Sequence, residues 1–414
     1  MQTQLSPQFS DTPEGEEAAA ILRKCVHCGF CNATCPTYQL LGDELDGPRG
    51  RIYLIKQVLE GGEVTRSTQQ HLDRCLTCLN CQTTCPSGVA YGRLVEIGRN
   101  LVEARVERPV PEKAVRWLLK EGMTSRLFGP ALRLGQIVRP LLPQRLRDKI
   151  PRQSDVVPRP PAKSSSDAKL RGTVLMLPGC VQPSMFPNID RAAVRVLARA
   201  GIKVIQAAGT GCCGALRTHL SDHDGGLQDM RRNIDAWDSL LAPGDIQAII
   251  SSATACSLSI KEYPRALGHD PKYAHKAARI GALARDLSEL LPELAPILKP
   301  RLRPVADERI AFHAPCTLQH GQGLRGGVEA HLRALGFNIA PECDESHLCC
   351  GSAGAYSVLQ PKLAAQLRDR KLANLAAREP QLILSANVGC IQHLQSGTGI
   401  PVKHWIEFLD EALE

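Results

Sequence analysis

Two architectures are predicted in this one chain, a helical amino-terminal domain and, after it, a duplicated α/β unit. Three observations predict them. Eight cysteines recur as two copies of one spacing within the first 90 residues, and helix-like apolar patterning surrounds both copies. Beyond residue 172, short apolar runs alternate with helical segments twice over, and each set of runs closes on cysteines. The fold class is therefore multidomain, α followed by α/β, with expected boundaries at 1–100, 101–171, 172–300 and 301–414.

In the first domain, Ala18-Ala19-Ala20-Ile21-Leu22 leads into Cys25, residues 51–60 read as an amphipathic helix ending at Gly61-Gly62, and residues 69–74 lead into Cys75. The two copies spell CxxCxxCxxxCP: Cys25, Cys28, Cys31, Cys35 before Pro36, and Cys75, Cys78, Cys81, Cys85 before Pro86. Thiolates are soft ligands for iron, and this spacing lets one loop wrap three corners of an iron–sulfur cube. The fourth cysteine of such a run ligates the neighbouring cluster. The expected sets are Cys25, Cys28, Cys31 and Cys85 for one [4Fe-4S] centre, and Cys75, Cys78, Cys81 and Cys35 for the other. With 39 residues between the motifs, the domain reads as a helical two-cluster ferredoxin and not the compact β type. Zinc would require two separated CxxC pairs, and a secreted disulfide protein would show a leader. Residues 1–15 have neither a basic n-region nor an apolar core, so a reducing cytosolic compartment is expected.

Between the motifs, Pro48-Arg49-Gly50-Arg51 reads either as positive charge that offsets anionic clusters or as a solvated turn. The net charge of +8 is uneven, since residues 101–150 carry 11 Lys/Arg against 5 Asp/Glu. Trp117, Leu118, Leu127, Phe128, Leu134, Ile137 and Leu141 alternate there with arginines at helical intervals. Two placements suit this segment: packed between the domains with arginines in water, which the sequence favours, or resting on an anionic membrane surface. Residues 151–166 read as a Pro/Ser linker, and the prolines at 178, 183 and 187 rule out a spanning helix at 172–189.

The remainder is an internal repeat. Strands expected at 172–177, 202–207 and 247–251 run into Cys180, Cys212-Cys213-Gly214 and Cys256, with a helix at 190–200. In the second half, strands at 309–313, 337–340 and 381–384 run into Cys316, Cys349-Cys350-Gly351 and Cys390, with a helix at 331–335. Corresponding cysteines lie 136, 137 and 134 residues apart. Ligands collect beyond the carboxyl ends of parallel strands, so each half gathers four thiols at one rim. A further Fe–S cluster, a redox dithiol and a buried structural set all fit that pattern. Gly209, Gly211 and Gly214, and again Gly321, Gly323 and Gly326, spell GxGxxG, but the first overlaps the CCG turn; no dinucleotide or FAD is expected on this chain.

Together with Leu177-Pro178-Gly179-Cys180, His313-Ala314-Pro315-Cys316 and Asn387-Val388-Gly389-Cys390, these motifs resemble the family of iron–sulfur subunits of bacterial glycolate oxidase over about residues 20–410. Its relatives include the iron–sulfur subunit of anaerobic glycerol-3-phosphate dehydrogenase, lactate-utilisation proteins and heterodisulfide reductase subunits. The resemblance implies an electron-transfer component with no catalytic residue of its own. A separate FAD-binding subunit would oxidise glycolate or another 2-hydroxy acid such as D-lactate. A quinone-type acceptor would take the electrons, with peripheral contact at the inner face of the cytoplasmic membrane and no nucleic acid partner. Alternatives are a glycerol-3-phosphate or lactate dehydrogenase subunit, a disulfide-reducing enzyme using His313 or His347, or a scaffold that clamps the flavoprotein. Heterodisulfide reductase halves carry CxxC at the third position; here Cys256 is followed by Ser257-Leu258-Ser259 and Cys390 by Ile391-Gln392-His393.

Overall fold

The computed structural model describes residues 1–125, 127–141, 143, 150, 171–241, 244–303 and 307–413. The expected linker at 151–166 lies outside the described residues.

Four longer helices, with short helical turns at the cysteine motifs, build the amino-terminal domain. Thr12 caps Pro13–Lys24 by accepting from the Gly15 N–H, and Thr65 caps Arg66–Asp73 through the Thr68 N–H. Pro48 opens Pro48–Leu59, and Tyr91–Glu103 completes the set. Leu22, Ile55, Leu59, Leu72 and Leu94 are fully buried where these helices meet. Gly98 permits the closest approach, because a Cβ there would stand 2.5 Å from Ile55 Cγ1.

The repeat forms two parallel sheets. In the first, β1 (Gly172–Met176), β2 (Ile202–Ile205), β3 (Ile246–Ser251) and β4 (Ala284–Asp286) lie in the order β2-β1-β3-β4. In the second, β5 (Ile310–His313), β6 (Leu382–Ser385) and β7 (Val402–His404) lie in the order β5-β6-β7. The strand expected at 337–340 is reduced to one parallel bridge, Ile310 to Ile339. Only four residues separate the left-handed Gly336 from Pro341, which has no N–H to extend a ladder.

The two halves share one core. Val174, Met176 and Ile250 from the first sheet belong to the same buried cluster as Ile310 and Leu384 from the second sheet and Trp405 from the last helix. The last helix, Trp405–Ala412, packs on Pro187–Arg199 of the first half, where Arg195 and Arg199 hold the buried Asp410 carboxylate at 2.7 and 3.1 Å.

The basic segment touches both domains, through Arg116 to Asp73 and Glu121 to Arg217, but two of its arginines do not face water. Arg108 and Arg116 turn inward to Asp73 at 2.6 and 2.9 Å, while Trp117, Leu118, Leu127, Leu134 and Ile137 point outward. Trp117 is 61% exposed and Ile137 72%. The arginines are drawn in because Asp73, Glu103 and Glu112 present acidic groups at that edge. No helix among the described residues is long and apolar enough to cross a membrane.

Candidate metal centres

Each cysteine motif is shaped by two left-handed residues. His27 (φ 58°) and Gly29 (φ 87°) alternate with Cys25, Cys28 and Cys31; Thr77 (φ 51°) and Leu79 (φ 63°) alternate with Cys75, Cys78 and Cys81. Non-glycine residues occupy this region at a cost, so three of the four positions hold local strain that the surrounding packing maintains. The alternation turns the loop back on itself and brings three sulfurs toward one cavity.

The first cavity is lined by Cys25, Cys28 and Cys31, and by Cys85 from the other motif. The second is lined by Cys75, Cys78 and Cys81, and by Cys35. Pro48, Cys81 and Tyr91 line both and form the wall between them. Burial pushes the Cys31 thiol up to about 11, with Cys25 adding to the shift. Burial likewise raises Cys78 and Cys81, reinforced by their cysteine neighbours. Cys75 differs: burial opposes its ionisation, but the Arg51 and Arg99 guanidiniums, the Thr77 N–H and the Tyr91 hydroxyl together hold it below the ordinary thiol value.

Of the two arginines in the 48–51 stretch, Arg51 is buried and Arg49 is half-buried. Arg51 donates to His71 O at 2.7 Å and to Thr37 Oγ1 at 3.2 Å, beside the buried Asp46. Arg49 lines the first cavity and pairs with Glu44 at 2.6 Å. Sequence reasoning missed Tyr91, whose hydroxyl donates to Cys75 Sγ at 3.6 Å, and Arg99, which donates to Cys75 O at 2.6 Å. Both lie on the helix after the second motif, eight residues apart, and only their shared face could have suggested a role.

In the repeat, thiols contact in series: Cys180, Cys212, Cys213 and Cys256 in the first half, and Cys316, Cys349, Cys350 and Cys390 in the second. The Cys316 and Cys349 sulfurs are 3.8 Å apart. The CCG turns repeat in detail, since the Gly214 and Gly351 N–H groups each donate to the first cysteine sulfur at 3.4 Å. Both glycines are left-handed, and a Cβ on Gly351 would stand 2.6 Å from Ala364 O. Cys343, the remaining cysteine, is half-buried at the edge of the shared core.

The second-half set adjoins the second cavity. Cys78 and Cys316 pack against one small cluster with Leu76, Cys349 and Tyr356. Asn80 Nδ2 donates to His347 O at 3.2 Å, and Thr83 Oγ1 lies 3.0 Å from His320 Nδ1. The first half meets the same domain through charges, with Arg265 3.6 Å from Glu96.

A helical domain with two cysteine-lined cavities, joined to a duplicated α/β unit with four thiols in series in each half, has the makeup of an iron–sulfur protein. Residues 21–89 match the 4Fe-4S dicluster domain family, and residues 174–261 and 310–395 each match the cysteine-rich domain family. The chain is 50% identical to the glycolate oxidase iron-sulfur subunit of Escherichia coli K12, with 100% of both chains aligned. It is 29% identical to the probable glycolate oxidase iron-sulfur subunit of Bacillus subtilis 168, over 95% of this chain and 92% of that one. Lactate utilization protein A of Bacillus licheniformis is 25% identical over 56% of this chain and 96% of its own length. The chain belongs to the family of glycolate oxidase iron–sulfur subunits.

Proposed function

We propose that the chain receives electrons from a separate FAD-binding subunit that oxidises glycolate, and delivers them to a quinone-type acceptor. The observation that supports this best is that Cys85 of the second motif lines the cavity of the first, and Cys35 of the first motif lines the cavity of the second, as an exchange of the fourth ligand requires. Cys25, Cys28, Cys31 and Cys85 would hold one [4Fe-4S] cluster, and Cys75, Cys78, Cys81 and Cys35 the other. Such clusters, when bound, exchange one electron at a time.

The chain's own residues do the rest. Arg51 and Arg99 set positive charge beside Cys75, which favours the thiolate and offsets anionic charge in a buried place. Tyr91 and Pro48 keep water out of the wall between the cavities. Cys28 is exposed, and the exposed Val26 and Phe30 flank it, a surface suited to docking the flavoprotein close to the first cavity. The outward Trp117, Leu118, Leu127 and Ile137, on a segment rich in arginine, suit contact with an anionic membrane face on the cytoplasmic side, where quinone dissolves. Glycolate is favoured over lactate by the full-length 50% relative, against 25% over 56% of the chain for the lactate protein.

Changing Cys28 or Cys78 to serine should leave flavin reduction by glycolate intact in the assembled complex and abolish reduction of a quinone analogue. Normal quinone turnover by both variants would defeat the proposal.

A further inference from the structure

The second half differs from the first at one position beside its thiols. Where the first half has the buried apolar Leu177, the second has His313, 136 residues later, the same offset that separates Cys180 from Cys316. His313 is 3% exposed, and its Nε2 has no hydrogen-bond partner. A buried imidazole nitrogen left unpaired costs free energy unless something else occupies it. One ring nitrogen of His313 and the sulfurs of Cys350 and Cys390 lie within 4.8 Å of one another, all three residues buried.

We propose that the second half binds a single transition-metal ion of the zinc or ferrous kind through His313, Cys350 and Cys390. Donors at roughly 2.0–2.3 Å from one tetrahedral ion stand about 3.3–3.8 Å apart, so the three need to close only slightly. One imidazole and two thiolates around a divalent ion make a neutral group, the charge state that a buried place accepts. The fourth coordination position is left to water or to a neighbouring thiol. Another grouping, Asp43, Asp46 and His71, is already served by Arg51 and Arg74, and cations there oppose a metal. The site shares no ligand with the amino-terminal cavities, so it stands or falls separately from the electron-transfer reading.

The test adds Co²⁺ anaerobically to the full cluster-loaded chain and measures bound cobalt per chain by mass spectrometry, together with thiolate-to-cobalt absorption and the tetrahedral visible bands. One additional ion per chain is expected, absent in Cys390→Ser and in His313→Leu, which installs the residue of the first half. The counterpart change, Cys256→Ser, should leave it in place. Retention of the ion in His313→Leu, equal loss in Cys256→Ser, or no additional cobalt in the native chain would each overturn the proposal. Circular dichroism melting confirms folding; if His313→Leu melts early, His313→Gln replaces it, with the same loss expected.

Discussion

Tyr91 sits in the wall between the two cavities and donates its hydroxyl hydrogen to Cys75 Sγ. A hydrogen bond to a ligating sulfur draws electron density from it and raises the potential of the attached iron. With the two proposed clusters bound, Tyr91→Phe keeps the ring and removes the donor, so the potential of one cluster should fall while the other holds, as read by a redox titration followed by paramagnetic resonance. Equal potentials in variant and native chain would remove the hydroxyl from the tuning of the centre. Asp190 is a different kind of polar residue, pushed up to about 6 by burial, although Ser252 and Gln182 each donate to its Oδ1 at 2.6 Å. Its folded value lies above the ordinary 3.8, so between about 4 and about 6 the folded chain retains a proton that the unfolded chain has lost. Stability from this residue is therefore highest below pH 4 and falls as pH rises through 6, by on the order of 3 kcal/mol. Asp190→Asn should flatten that part of the melting profile and raise the midpoint at pH 7.

Helix packing around the motifs depends on Gly98, against which Ile55 lies too close for any side chain. Gly98→Ala would gain helix propensity of about 1 kcal/mol but push a methyl into Ile55, and overpacking of this kind costs about 1–3 kcal/mol. A net loss of melting temperature is expected, and a rise would show that the two helices separate easily. At this scale the sequence was most legible where chemistry fixes spacing. The paired cysteine runs marked the cavities, and the helices around them follow apolar periodicity. Strands β4 and β7, three residues each, were missed because Ala284-Arg285-Asp286 and Val402-Lys403-His404 are too short to show a period. The inward arginines of the basic segment were also hidden, since Asp73, which holds Arg108 and Arg116, lies 35 and 43 residues away. Long-range ion pairs leave no local pattern, and an arginine in an apolar helix reads the same whether it faces water or a buried carboxylate.

At the scale of the molecule, the cysteine repeat suggests two independent units, whereas the packing makes them one. The final helix crosses onto the first half, and its buried Asp410 is held by Arg195 and Arg199 from Pro187–Arg199. The sheet of four strands and the sheet of three each bury one apolar face in a common core, although the first sheet keeps a second core of its own around Trp237. The second half also rests on the second cysteine motif through Asn80, Thr83 and the cluster around Tyr356, so its loss would open the cavity that Cys78 lines. Asp410→Asn removes the charge that both arginines bind while keeping the shape, and breaking a buried pair of this kind costs about 3–5 kcal/mol. Because the core is shared, amide exchange should quicken together in β1 of the first sheet and β5 of the second, with a single lowered melting transition. Faster exchange confined to the second sheet, or two separate transitions, would mean that the halves fold apart and that the covering of the second cavity does not depend on the first.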